Sequence, residues 1–181
     1  MPTIYLVTGN SHKLAEFTAL LPADFDFKSV TVDLPELQSF DTQAIISDKV
    51  QRAYDEVGKP VMVEDVSIGL DHLNGFPGPF IKFVEQQLGK NGIYLLAGER
   101  EVAATVTSTI GYYDGHKLII AAGVVRGTIV SPRGEHGWGF DFSFVPHGKS
   151  QTFAEMGPEQ KSLVSHRAKS VHAFLEELNQ L

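Results

Sequence analysis

No cysteine occurs in the chain, which excludes disulfides, thiolate-bound zinc and cysteine nucleophiles together. Histidine occurs seven times but never as an HxxxH pair, and His166 and His172, six apart, fall off one helical face, so a histidine metal site is not expected. Basic side chains are in deficit, 15 Lys and Arg against 22 Asp and Glu for a net charge of -7. That balance argues against nucleic acid or an anionic membrane as a partner. Long hydrophobic runs are missing too: the longest, Leu118 to Val125, falls far short of the roughly 18 residues of a membrane helix. Met1 to Val7 lacks the charged and then apolar layout of a signal peptide, so a soluble, unprocessed, cytoplasmic protein is expected. Neither a GxSxG elbow nor a GxxxxGK(S/T) loop is present.

What is present is enough apolar material for a core: 43% of 181 residues are hydrophobic. A single domain spanning 1–181 is expected. Residues 3 to 7, TIYLV, read as a strand buried on both faces. After the turn at Gly9, Asn10 or Ser11 can cap a helix with apolar residues at Leu14, Phe17 and Leu21, ended by Pro22. A second strand is expected near Phe25 to Val32, then a helix capped by Asp41 and stopped by Gly58, with Ile46, Val50, Ala53 and Val57 on one face. PVMVED at 60 to 65 reads as a short strand ending in two carboxylates, and NGFPGPF at 74 to 80 as a rigid turn before an amphipathic helix through Gln87. Residues 101 to 113 and 117 to 130 form a hairpin pattern. Val164, Ala168, Val171, Leu175 and Leu178 predict a C-terminal helix. Alternating elements followed by antiparallel pairing point to an α/β fold with a mixed sheet.

Four clusters carry potential chemistry. TGNSHK, residues 8 to 13, sets a glycine turn before a helix start, where unpaired N–H groups and the helix dipole can seat a phosphate, with Thr8 and Asn10 as donors and Lys13 as a charge. The plainer reading is a common turn and a solvated lysine. In the strand to Asp65, Val61, Val63 and Asp65 share a face while Glu64 points to the other. Asp65, at a strand's C-terminal end, and Glu36, held extended in DLPELQ, suit Mg²⁺; alternatively both are surface acids. In GWGFDFSF, residues 137 to 144, Trp138 can stack a nucleobase and Asp141 can read a base edge, against the alternative that these aromatics are core. In EQKSLVSHRAKSV either one helix runs throughout, or Ser165 caps a new helix with His166 and Arg167 in its first turn.

The ordered set TGNSHK, DLPELQ, VEDVSI, FPGPF, PRG with GWGFD, and TFAEM with KSLVSHR resembles the inosine triphosphate pyrophosphatase family, hydrolases of non-standard purine nucleoside triphosphates, over nearly the whole chain. The resemblance implies an elongated mixed β-sheet flanked by helices, with two lobes around a nucleotide-binding cleft, and a homodimer. It implies that Thr8, Gly9, Asn10, Ser11, His12 and Lys13 hold phosphate, that Lys49 faces phosphate, and that Glu36 and Asp65 carry Mg²⁺. Asp65 also matches the general base. Trp138, Gly139, Phe140 and Asp141 match the segment enclosing the base, and Lys161, His166 and Arg167 match nucleotide contacts. Two departures stand out: Val66 replaces a Ser or Thr, and Trp138 and Phe140 exchange places in Phe-Gly-Trp-Asp-Pro, with Phe142 for the proline.

The expected activity is Mg-dependent hydrolysis of ITP, dITP and XTP to monophosphate and pyrophosphate, by water attack at the α-phosphorus. The 6-keto acceptor of these bases, facing donors from His166, Arg167 or backbone amides, would give roughly 10⁴-fold selection against ATP. The departures motivate two alternatives, a nucleotide-binding regulatory module without hydrolysis and a pyrophosphatase of broader range.

Overall fold

A computed structural model describes residues 3–180. Among them are strands β1 (Ile4–Val7), β2 (Phe27–Val30), β3 (Val61–Leu70), β4 (Pro77–Gly78), β5 (Val102–Tyr113), β6 (Leu118–Ile129) and β7 (Phe144–Pro146). The helices are α1 (Ser11–Leu20), α2 (Thr42–Val57), α3 (Ile81–Leu88), α4 (Gly92–Leu96), α5 (Phe153–Val164) and α6 (His166–Asn179). The strands make one mixed sheet in the order β2-β1-β3-β5-β6-β7, with β4 added on β3. β1 is parallel to both β2 and β3, as βαβ connections through α1 and α2 require, whereas β4 and β7 pair antiparallel to β3 and β6.

The chain packs as two compact units. The first contains the described residues up to Asp65, then Ser108–Gly123 and the segment from Lys169; the second contains Val66–Thr107 and Val124–Ala168. In the first unit β1 is covered on both sides, as its unbroken apolar run predicts. Ile4 and Leu6 pack with Phe17 of α1, Met62, and Val171 and Phe174 of α6. Val7 packs with Val61, Val63 and the α2 residues Ile46, Val50 and Ala53. Each fully buried large side chain here contributes about 1.5–3 kcal/mol. Asp41 caps α2 by accepting from the N–H groups of Gln43 and Ala44, and Gly58, at φ 65°, ends it in the left-handed conformation that glycine adopts without cost. The second unit closes around Ile68, Leu70, Ile81, Ile93, Val106, Ile129, Phe144 and Phe153.

Several expectations change. β2 is confined to Phe27–Val30, and β3 runs to Leu70 because Val66, Ile68 and Leu70 continue the buried alternation past the carboxylates. Asp65 is therefore mid-strand, although it lies beyond Met62, the last β3 residue paired with β1. The C-terminal helix starts at His166, so Val164 belongs to α5, which is itself broken at Gly157 (φ 71°) before Pro158. Proline lacks the N–H that would continue the ladder, and only the glycine takes that φ readily. The hairpin turn sits at Asp114 to Lys117, with Asp114 accepting from the N–H groups of His116 (2.9 Å) and Lys117 (2.8 Å).

Candidate active site

In the first unit the turn after β1 is organised by its own side chains. Thr8 Oγ1 accepts from Asn10 N–H at 3.1 Å, and Asn10 Oδ1 accepts from His12 N–H (2.9 Å) and Lys13 N–H (3.1 Å). Asn10, not Ser11, is thus the N-cap of α1. Both side-chain oxygens act as acceptors here, which leaves the Thr8 hydroxyl hydrogen and the Asn10 amide NH2 as the side-chain donors of the turn. Gly9, Ser11 and His12 are exposed around this cap.

Lys13 is not a solvated cation. Its Nζ lies 2.7 Å from Glu64 Oε2 and donates to the Glu64 carbonyl at 3.2 Å. Glu64 is only 4% exposed, and its Oε1 accepts from Ser108 Oγ at 2.7 Å, which in turn lies 2.8 Å from Ser170 Oγ. A carboxylate this deep persists because an ammonium and a hydroxyl share its charge. Strand alternation places Glu64 on the Met62 side with α1 and Asp65 on the Val63 side with α2, as the sequence predicts.

On that second side three charges meet. Lys49 of α2 lies 3.1 Å from Glu36 Oε1 and 3.5 Å from Asp65 Oδ1. Burial works against the Lys49 charge, but Asp65, Glu36 and Glu64 outweigh it and hold the ammonium above its ordinary pKa. Burial also pushes the Asp65 carboxyl up, against the pull of Lys49 and Lys13 and with the repulsion of Glu64 and Glu36. The pair Glu36 and Asp65 therefore already converges on a cation, with hard oxygen donors from two separate segments. That donor set fits Mg²⁺, which takes one or two carboxylates and fills its remaining positions with phosphate and water. Among the described residues no group of three or more His, Asp or Glu side chains is arranged for a metal, so protein ligands alone would not complete a shell.

In the second unit Gly139–Phe142 forms a single 3-10 turn. Asp141 Oδ2 accepts from Trp138 N–H at 3.1 Å, and Trp138 O accepts from Asp141 N–H at 3.1 Å, closing the turn on itself. Asp141 is buried and bound to Lys161 Nζ at 2.6 Å, and Lys161 also lies 5.5 Å over the Phe153 ring. Ser165 Oγ accepts from Ala168 N–H at 3.1 Å, so a fresh helix begins there and His166 and Arg167 occupy its first turn. His166, 1% exposed, has the Phe140 and Phe153 rings at 5.7 and 5.8 Å. Arg167, 0% exposed, puts its guanidinium 5.8 Å from the centre of the half-buried Trp138 ring. Phe140 and Phe144 are core, whereas Trp138 and Phe142 are half-buried, the latter with Lys90 Nζ 5.2 Å from its ring centre.

The proposed phosphate and metal residues thus assemble in the first unit, and the proposed base residues in the second. Residues 4–177 match the family model described as the Ham1 family. The chain belongs to the Ham1 family. It is 38% identical over 177 residues to a dITP/XTP pyrophosphatase of Methanopyrus kandleri, covering 96% of this chain and 94% of the relative. It is 35% identical over 182 residues to the inosine triphosphate pyrophosphatase of Schizosaccharomyces pombe, covering 97% and 96%. A solved HAM1 protein from Coxiella burnetii superposes with a TM-score of 0.81 at 26% identity, covering 100% of both chains.

For a Ham1 family chain, the Glu64, Ser108 and Ser170 network is what reading the sequence alone missed. The alternation rule put Glu64 opposite Asp65, but only the fold brings residues 108 and 170 to it. Val66 is core, packed in the second unit with Ile68 and Ile81. Gly137, at φ 92°, stands so close to the Asp141 carboxylate that a Cβ there would collide with it.

Proposed function

We propose that this chain hydrolyses ITP, dITP and XTP to the nucleoside monophosphate and pyrophosphate, and so clears aberrant purine nucleotides. The observation that carries the reading is the meeting of Glu36 and Asp65 on Lys49, since a triphosphate site needs both a carboxylate pair and fixed positive charge. The activities named for the archaeal and yeast relatives, matched along nearly their whole length, point the same way.

In this reading Lys13 and Lys49 meet the phosphate charge, with the N-terminal turn of α1 supplying Gly9, Ser11 and His12 around the chain's first phosphate contact. Mg²⁺ bound by Glu36 and Asp65 would neutralise the triphosphate and draw charge from the bond that breaks. Water oxygen bonds to the α-phosphorus, the bond to the bridging oxygen breaks, pyrophosphate leaves, and the water proton passes to Asp65. Trp138 stacks on the purine, while His166 and Arg167 supply donors to the 6-keto oxygen that the 6-amino group of ATP would oppose. Guanine shares that keto group, so its exclusion requires a contact at the 2-amino position. Asp141 and Lys161, bonded to each other, hold the turn that carries Trp138.

The active species in this reading is a homodimer working in the cytoplasm, readable by sedimentation equilibrium and cell fractionation. Among the described residues no helix is long and apolar enough to cross a membrane. The activity is tested with ITP, dITP, XTP, GTP and ATP, pyrophosphate and phosphate being measured separately. The expected result is pyrophosphate release from the first three, at least about 10³-fold slower turnover of ATP, and a loss of about 10²–10⁴-fold in kcat for Asp65→Asn. Equal turnover of ITP and ATP would overturn the selectivity, and nucleotide binding without any turnover would leave the regulatory-module reading in its place.

A further inference from the structure

The turn that presents Trp138 is anchored from outside itself, and the anchor is a carboxylate with no part in the mechanism above. Glu85 of α3 accepts from Phe140 N–H at 2.9 Å through Oε1. It comes one turn after the buried Ile81 and directly follows Val84, which packs on the core of the second unit, so the helix holds its stem against that core. Gly139, at φ 57°, passes so close that a Cβ would run into the Glu85 carboxylate. The backbone of the turn is therefore laid directly on this side chain, in a left-handed conformation that favours glycine. A second contact falls on the residue that follows Asp141: Lys90 Nζ lies 5.2 Å from the centre of the Phe142 ring.

Within the turn the path from Glu85 to Trp138 is short. Glu85 fixes the N–H of Phe140, whose ring is buried against Phe144 and His166. Asp141, the next residue, fixes the N–H of Trp138. The turn is thus held at alternate amides, one by its own carboxylate and one by α3. Without Glu85, Phe140 N–H loses its acceptor beside a closed core, and the turn must rotate to find another.

We infer that Glu85 is a positioning residue for base recognition, which sets the pose of Trp138 through the amide of Phe140. This rests on the proposal that Trp138 stacks on the purine, but the pose of the indole can be read without any nucleotide. Trp138 is the only tryptophan in the chain, so intrinsic fluorescence reports this turn alone.

The test compares wild type, Glu85→Ala and Glu85→Gln. Circular dichroism and a thermal melt verify that each is folded; emission and acrylamide quenching are read without nucleotide, and KM and kcat with ITP. For Glu85→Ala the expected result is a red-shifted, more readily quenched Trp138 and a KM raised about 10-fold with kcat within about twofold, the loss of one charge-assisted hydrogen bond. Glu85→Gln keeps an acceptor oxygen, so it is expected to restore both the emission and most of the KM. An unchanged emission in folded Glu85→Ala would overturn the proposal, as would a Glu85→Gln variant as impaired as the alanine. If wild type fails to turn over ITP, the proposed activity falls while the emission comparison still decides the role of Glu85. If emission shifts but KM does not, Glu85 positions the indole and base recognition does not depend on it, which also overturns the inference.

Discussion

Lys13 shows how a residue changes meaning once its partner is known. From sequence it is a lysine in the first turn of a helix; in the fold it neutralises Glu64, which is nearly sealed from solvent. Lys13→Met would leave that carboxylate buried without its ammonium. The expected cost is about 3 kcal/mol in urea-induced unfolding, in addition to weakened ITP binding. Ser108→Ala removes only one hydroxyl from the same carboxylate and should cost about 1–2 kcal/mol, with the Lys13 contact kept. If Lys13→Met were as stable as wild type, the ion pair would not be holding Glu64. Asp65 and Trp138 could be singled out in the sequence because strand alternation and flanking glycines each leave a local signature, whereas Lys49 was singled out only by the family resemblance. Ser108 and Ser170 leave none, since two serines on an apolar strand and an amphipathic helix look alike whether or not they meet a buried acid.

At the scale of elements, the β5–β6 hairpin turn is a local latch whose strength depends on pH. Asp114 accepts from two backbone N–H groups and from Tyr112 Oη at 3.3 Å. Burial alone would raise its pKa, but the Lys117 and His116 amides and Tyr112 outweigh it and hold the carboxyl below the ordinary range. A depressed folded pKa means that the stabilisation is complete above the unfolded value of about 3.9 and is lost as pH falls through the folded value. Asp114→Asn is therefore expected to cost about 1 kcal/mol at pH 7 and progressively less below about pH 4. The same substitution reaches Tyr112, whose phenol is pushed up to about 12 by burial, the Asp114 charge and their hydrogen bond. Ultraviolet titration should show the Tyr112 midpoint moving down only part of the way in the variant, since burial, the largest cause, remains. A constant stability gap from pH 7 to pH 3 would contradict the latch. This hairpin was legible in sequence from its Tyr-Asp-Gly-His turn, as was α2 from Asp41 and Gly58. The break between α5 and α6 was one of two readings the sequence left open, because Val164, Ala168, Val171 and Leu178 keep helical spacing across it while Ser165 can cap a new helix. In the fold Ser165 leaves helical φ/ψ and its hydroxyl accepts from Ala168 N–H, with His166 and Arg167 buried in the first turn that follows.

For the whole molecule, fold class was legible because strand and helix periods alternate early and strands pair later, and the sheet order β2-β1-β3-β5-β6-β7 follows that plan. Two lobes were expected only from the family resemblance; composition and patterning do not mark the two units, since β3, β5, β6 and α6 each contribute to both and no linker marks the crossing at Asp65 to Val66. Asp65 and Val66 are neighbours with different tasks, the carboxylate turned to Lys49 and the valine to the core of the second unit. That explains why a valine is tolerated beside a proposed catalytic acid. The central claim is attack by water at the α-phosphorus, and the most direct measurement is ITP hydrolysis in H2¹⁸O followed by mass spectrometry of both products. The label is expected in inosine monophosphate, with unlabelled pyrophosphate. Label in pyrophosphate, or phosphate as the first product, would place the attack elsewhere and contradict the mechanism.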